Sequence, residues 1–247
     1  MRIVRRFGVR VPLDFKTYRD KSLNHLLSRT VDLELEDKLN KKLLVIKSAE
    51  SDGTTKELLY GDLDFELNQR GIEHSEYLAR EFKPYLSKIG GFWSSSRKRA
   101  IQTASIIMNG EKSLVTDNLS KLKIPSDLQI DKRLDEFNFG QIEGVSIENM
   151  RFVERDLTWD IFYSGRLERD DIETPESVVN RTCEAFKELK GGDCVNLMVT
   201  HRGVMHTMTK KLHMEGLFLH SCSCLLFEIN IDGTPERLIN FWHEKTF

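Results

Sequence analysis

The chain has little cysteine, no long apolar run and no strong excess of either charge. Its four cysteines, Cys183, Cys194, Cys222 and Cys224, all fall in the last third of 247 residues. That is too few to staple a chain of this size, so the thiols read as reduced and the setting as cytoplasmic. No apolar stretch approaches the roughly 18 residues expected of a membrane-spanning helix. The formal net charge is −2, so no global field draws the chain to nucleic acid or to an anionic membrane. No internal repeat and no low-complexity segment is found. Gly110-Glu111-Lys112-Ser113 lacks the glycine spacing of a nucleotide-binding P-loop. His213, His220, Cys222 and Cys224 lie close in sequence, but their spacing fits no standard zinc pattern. Neither a metal nor a cofactor is therefore expected.

What is present is ordinary for a folded domain, with 39% hydrophobic and 31% charged residues. The first dozen residues hold Arg2, Arg5, Arg6 and Arg10, with no acid before Asp14. An organellar presequence has this charge pattern. The stretch has no serine, however, and Val11-Pro12 breaks a helix early, so a solvated basic arm is the plainer reading. Residues 1–42 read as an N-terminal extension, with a helix-like middle from Tyr18 to Leu35 and a lysine-rich close at Lys38, Lys41 and Lys42.

From Leu43 onward strands and helices alternate. Leu43-Leu44-Val45-Ile46 is an apolar run ending in a polar turn, the mark of a buried strand. Asn68 is placed to cap a helix reaching about Tyr85. A short strand ends at Ser94, and a helix follows from Arg97 to Met108. Leu128 to Leu134 reads as a strand. Thr174-Pro175 gives an N-cap with proline at the first helical position, for a helix reaching about Leu189. Strand Val195–Val199, helix Gly203–Leu212 and strand Cys224–Ile231 complete the pattern. It predicts a three-layer α/β domain over residues 43–247, with a mostly parallel sheet and helices on both faces. The turns at Ser48, Ser94 and His201 each follow a strand, so one crevice at the strand ends is expected to gather them.

Four segments in this order carry a family likeness: Lys47-Ser48-Ala49, Ser95-Ser96-Arg97-Lys98-Arg99-Ala100-Ile101-Gln102-Thr103-Ala104, Leu134-Asp135-Glu136-Phe137 and Val199-Thr200-His201-Arg202-Gly203. Together they resemble the histidine phosphatase (phosphoglycerate mutase-like) superfamily. The likeness implies a phosphate pocket in which Arg99 binds phosphate, Glu136 is the acid–base carboxylate and His201 steadies the transferring phosphoryl group. A general acid at neutral pH needs shelter to hold its proton, which Phe137 and Phe139 are placed to give. In the family the first strand ends in Arg-His-Gly, and that histidine is the nucleophile. The matching residues here are Lys47, Ser48 and Ala49.

A serine hydroxyl needs a base to attack phosphorus, and Lys47 offers charge without a bidentate fork. The resemblance therefore implies a catalytically impaired pseudophosphatase that binds a phosphorylated small molecule or a protein partner. The alternative is an active sugar-phosphate phosphatase with an altered nucleophile. Among family branches, the likeness is to the fructose-2,6-bisphosphatase domain of the bifunctional 6-phosphofructo-2-kinase/fructose-2,6-bisphosphatase. It rests on Gly61-Asp62, Lys98 to Ala104, and Glu176-Ser177 with Arg181. The same likeness puts Thr54, Gly61 and Arg202 in the substrate pocket. Ile147, Val178, Arg202 and His206 stand where that branch holds the sugar's remote phosphate. With Lys47, Arg99 and His201 around it, the pocket is expected to bind a dianion more tightly below about pH 6.5, where histidine charges.

Overall fold

The computed structural model describes residues 3–6, 9–12, 22–35, 37–110, 119, 122–146, 170–214 and 219–242. Two short strands, β1 (Ile3–Arg6) and β2 (Val9–Pro12), pair antiparallel. They lie in the stretch read from the sequence as a solvated basic arm. Their β-branched Ile3, Val4, Val9 and Val11 favour extended backbone. Helix α1 (Leu23–Asp32) begins where Ser22 accepts a hydrogen bond from the His25 N–H. Tyr18–Lys21, the start of the helix read from the sequence, lies outside the described residues.

The remaining elements follow in chain order. They are β3 (Lys41–Lys47), the single turn α2 (Asp52–Thr55), α3 (Gln69–Phe82), β4 (Ile89–Ser94), α4 (Lys98–Asn109), β5 (Leu128–Ile130), α5 (Pro175–Phe186), β6 (Val195–Thr200), α6 (Arg202–Lys211), β7 (Cys224–Ile229) and β8 (Pro235–Trp242). Asn68 caps α3 by accepting from the Gly71 N–H, and Thr174 caps α5 by accepting from the Ser177 N–H. The strand expected over Leu128–Leu134 stops at Ile130. There the Asp131 side chain accepts from the Arg133 N–H and turns the chain into a single 3-10 turn.

The six-stranded sheet runs β5-β4-β6-β3-β7-β8. Strands β5, β4, β6 and β3 pair parallel, while β7 and β8 pair antiparallel. The sequence reading missed β8, whose interrupted pattern Pro-Glu-Arg-Leu-Ile-Asn-Phe-Trp hides its period of two.

Alternation along β3 builds the layers. Successive side chains point to opposite faces of a sheet. Leu43 and Val45 enter one cluster with Val178 and Phe186 of α5 and Val204 and Met208 of α6. Leu44 and Ile46 enter the other with Leu26 of α1, Leu78 of α3 and Ala104 of α4. The two lysines that open this strand are held by the fold. Lys41 Nζ donates to the Phe186 and Lys187 carbonyls at 3.0 and 2.7 Å, and Lys42 Nζ to the Leu33 carbonyl at 2.8 Å. Each ammonium satisfies carbonyls at a helix C-terminal end, where positive charge is favoured.

Leu23, Leu26 and Leu27 of α1 are all buried against the sheet. A Leu26→Ala substitution is expected to destabilise the protein by about 2–5 kcal/mol, read as a lowered urea midpoint. An unchanged midpoint means that α1 is not docked in solution.

Candidate functional site

Strands β4, β6 and β3 lie side by side and end together. The Ser48 N–H donates to the Thr200 carbonyl at 2.8 Å, and the Ser95 N–H to the Val199 carbonyl at 3.0 Å. These bonds continue the ladders past the strands and bring the three post-strand turns into one crevice. Lys47, Ser48, Thr54, Tyr60, Arg99, Glu136, His201 and Arg202 are among the residues that line it. It is concave and gathers a few convergent polar and charged groups, as small-molecule sites do.

Arg99 lies in the first turn of α4. The loop before α3 shapes that turn, because Asp64 accepts from the Lys98 N–H at 3.0 Å. Lys98 is exposed, whereas Arg99 is only 2% exposed. The Arg99 guanidinium lies 4.4 Å from the Tyr60 ring centroid and pairs loosely with Asp64 at 3.8 Å. Its Nη1 is buried with no hydrogen-bond partner. A buried charged donor without a partner is costly, so this atom is suited to a ligand acceptor.

His201 is the residue before α6 and is equally buried. Its Nε2 lies 2.7 Å from Ser95 Oγ. Ser95 Oγ donates to Asp135 Oδ1 at 2.7 Å, and Asp135 also accepts from the Ser96 N–H and hydroxyl. The other ring nitrogen, Nδ1, is buried without a partner. Burial, then the charges of Arg99 and Lys47, hold the imidazole well below its ordinary pKa. The expectation that His201 charges near pH 6.5 is therefore not met: desolvation and neighbouring cations both oppose the extra proton.

Glu136 sits across the crevice, with its carboxylate over the start of α6. Its oxygens accept from the Phe137 and Gly203 N–H groups at 3.0 and 3.1 Å. Burial pushes the carboxyl up, partly offset by these bonds and by Arg99. Phe137, next to it in sequence, and Phe139, which also lines the crevice, are both 1% exposed. Gly203 leaves no room for a side chain, since a Cβ there would lie 2.1 Å from Glu136 Oε1.

Lys47 closes the floor of the crevice. Its Nζ donates to Ser221 Oγ at 3.2 Å, and burial followed by repulsion from Arg202 brings its pKa down to about 7. Ala49 is 1% exposed, and its N–H donates to Thr103 Oγ1 at 3.0 Å. Among the described residues, no group of three or more His, Cys, Asp and Glu is arranged to hold a metal ion, and no helix is long and apolar enough to cross a membrane.

The profile of the histidine phosphatase superfamily, branch 1, matches residues 43–231. The chain belongs to this superfamily. It is 26% identical over 206 residues to a Hydrogenobacter thermophilus protein named "Putative phosphoserine phosphatase 2", covering 81% of this chain and 94% of that one. It is 29% identical over 164 residues to a Thermoplasma acidophilum 2,3-bisphosphoglycerate-dependent phosphoglycerate mutase, covering 64% and 69%. Among solved structures, it shares its fold with an Entamoeba histolytica phosphoserine phosphatase in complex with 3-phosphoglyceric acid. The TM-score is 0.60 at 18% identity, covering 83% of this chain and 98% of that one.

Within this superfamily domain the other sequence-derived candidates divide. Thr54 reaches the crevice, its Oγ1 2.6 Å from the Tyr60 hydroxyl. Arg202 lines it as well. Gly61 does not. Its N–H donates to Glu143, and a Cβ on it would lie 1.6 Å from the Phe137 carbonyl oxygen. Val178 is buried in the core with α6, His206 is not among the crevice-lining residues, and Ile147 lies outside the described residues. Tyr60, Ser95 and Asp135 had no role assigned from sequence. The serine run and the acid before Glu136 were visible, but only the fold aligns them on His201.

The burial of Lys47 has a consequence for stability. An unfolded chain holds the lysine proton to about pH 10.4, whereas folded Lys47 releases it near 7. Its stability contribution is thus present above the unfolded value and lost as pH falls to about 7. Lys47→Met is expected to gain stability relative to wild type as pH falls through this window, by several kcal/mol and at most about 5. Urea unfolding of both proteins across this range reads the effect, and a pH-independent difference contradicts it.

Proposed function

We propose that this protein binds a phosphorylated small molecule in the crevice and lacks phosphohistidine chemistry. One observation carries the reading. A serine hydroxyl, Ser48, stands at the end of the central strand, in a crevice where Arg99 Nη1 and His201 Nδ1 are buried without hydrogen-bond partners. A buried guanidinium nitrogen without a hydrogen-bond partner suits a phosphate oxygen. A serine without a base is a poor nucleophile, and the amine of Lys47, its pKa brought down to about 7, is turned to Ser221 Oγ at 3.2 Å. In this reading Ser48 replaces the nucleophilic histidine, and Lys47 and Arg99 supply positive charge. His201 and Glu136 remain from the acid–base apparatus.

The names of the two relatives, a phosphoserine phosphatase and a phosphoglycerate mutase, favour a small phosphorylated carboxylic acid as ligand class. The fructose-2,6-bisphosphatase likeness favours a sugar phosphate instead. It has less support, since Val178 is in the core and only Arg202 of its remote-phosphate set lines the crevice. Residues 1–42 are proposed as an extension that completes the fold through α1.

A second reading, an active phosphatase with an altered nucleophile, is favoured by the unpartnered Nδ1 of His201. One comparison separates the two. Wild type is expected to be inactive on p-nitrophenyl phosphate and phosphoserine. The Lys47→Arg/Ser48→His/Ala49→Gly variant is expected to turn them over, approaching rates on the order of 1 per second. Wild-type turnover at such rates supports the second reading. Calorimetry is expected to show inorganic phosphate binding to wild type at about millimolar strength, and no binding to Arg99→Ala.

A further inference from the structure

The hydroxyl of Ser95 has one proton, and the network commits it. Ser95 Oγ donates to Asp135 Oδ1 at 2.7 Å. Asp135 has no proton of its own to offer in return, because Arg97 Nε pairs with it at 3.3 Å and Ser96 donates to it twice. Ser95 Oγ also accepts from the Arg97 N–H at 3.2 Å. What remains for His201 Nε2, 2.7 Å from Ser95 Oγ, is to donate. A neutral imidazole that donates through one nitrogen carries a bare lone pair on the other. Nδ1 is therefore an acceptor, and it is buried without a donor to satisfy it.

We infer that the crevice selects a phosphoryl group that still carries a proton, with its P–O–H donating to His201 Nδ1 while its anionic oxygens meet Arg99. This rests on the phosphate-binding reading and names the form of ligand that the site takes. Ser95 and Asp135 are then positioning residues that set specificity. The groups facing His201 agree with this assignment. Lys47 from β3, Arg97 and Arg99 at the start of α4, Arg181 from α5 and Arg202 at the start of α6 are basic, and Asp135 is already committed. Glu136, across the crevice, is engaged by the backbone of Phe137 and Gly203. Charging the imidazole would add one more cation to this set. Accepting a hydrogen bond from the ligand's P–O–H adds none. An isosteric anion without a proton finds a lone pair where it needs a donor, and two acceptors facing each other repel.

Inorganic phosphate and sulfate are the probes, because they share shape while sulfate has no proton to donate. Calorimetry on the full chain at about pH 6, where phosphoryl groups keep much of their second proton, is expected to favour phosphate by about ten- to a hundredfold. In Ser95→Ala the Nε2–H loses its acceptor, Nδ1 is free to hold the proton, and the ratio is expected to fall towards one. Two-bond hydrogen–nitrogen NMR of histidine-labelled wild type is expected to show His201 protonated on Nε2 and bare on Nδ1. Phosphate and sulfate binding equally to wild type, or a resonance for protonated Nδ1, overturns the inference and leaves the phosphate-binding reading standing. Binding of neither anion overturns both.

Discussion

The parallel pairing of β3 with β6 is the constraint on which the site depends. Its register sets Lys47 opposite Thr200, so Ser48 and His201 leave the sheet at one level. β4 pairs with the other side of β6 and adds Ser95 to the same rim. A one-residue slip would send every side chain of a strand to the opposite face. Both faces of β3 are buried, so a slip would expose apolar surface in neither register. The hydrogen bonds Ser48 to Thr200 and Ser95 to Val199 are what hold the alignment beyond the strand ends.

Burial of charge gives the crevice its electrostatic character. Arg99, Lys47, Glu136 and His201 are each at most 9% exposed. Desolvation is the largest influence on all four, lowering the three bases and raising the acid. Each is pushed towards its neutral form, and the site holds less charge than its residue types suggest. The guanidinium resists most, because its proton is held far above neutral pH. Arg99 is thus the most durable cation of the site, and its packing on Tyr60 fixes where that charge stands.

The rim is built by carboxylates that fold inward on backbone N–H groups. Glu143 gathers the N–H groups of Gly61, Asp62, Leu63 and Phe139. Asp64 takes the Lys98 N–H, and Asp62 pairs with Arg97 and Asn138. These bonds tie the loop before α3 to the start of α4 and to the segment that carries Glu136. Gly61 belongs to this joint, because a side chain there would strike the Phe137 carbonyl.

The sequence by itself determined the alternation of strands and helices, the caps at Asn68 and Thr174, and the four segments that identify the superfamily. Each is a local signal. Apolar periodicity, a cap residue and a short motif are complete within a few neighbouring residues. β8 escaped because its apolar positions are broken by bulges opposite β7, and the roles of Lys41 and Lys42 escaped because their carbonyl partners come from the ends of α5 and α1. Only the tertiary structure decided that Asp135 reaches Ser95 and that Ser95 reaches His201. Only it decided that Gly61 and Val178 belong to packing while Tyr60 belongs to the crevice. Those contacts join residues tens of positions apart, and the protonation of His201 depends on them. No composition or spacing encodes which nitrogen of a ring meets a hydroxyl. That is settled where β6, β4 and the Asp135 turn meet.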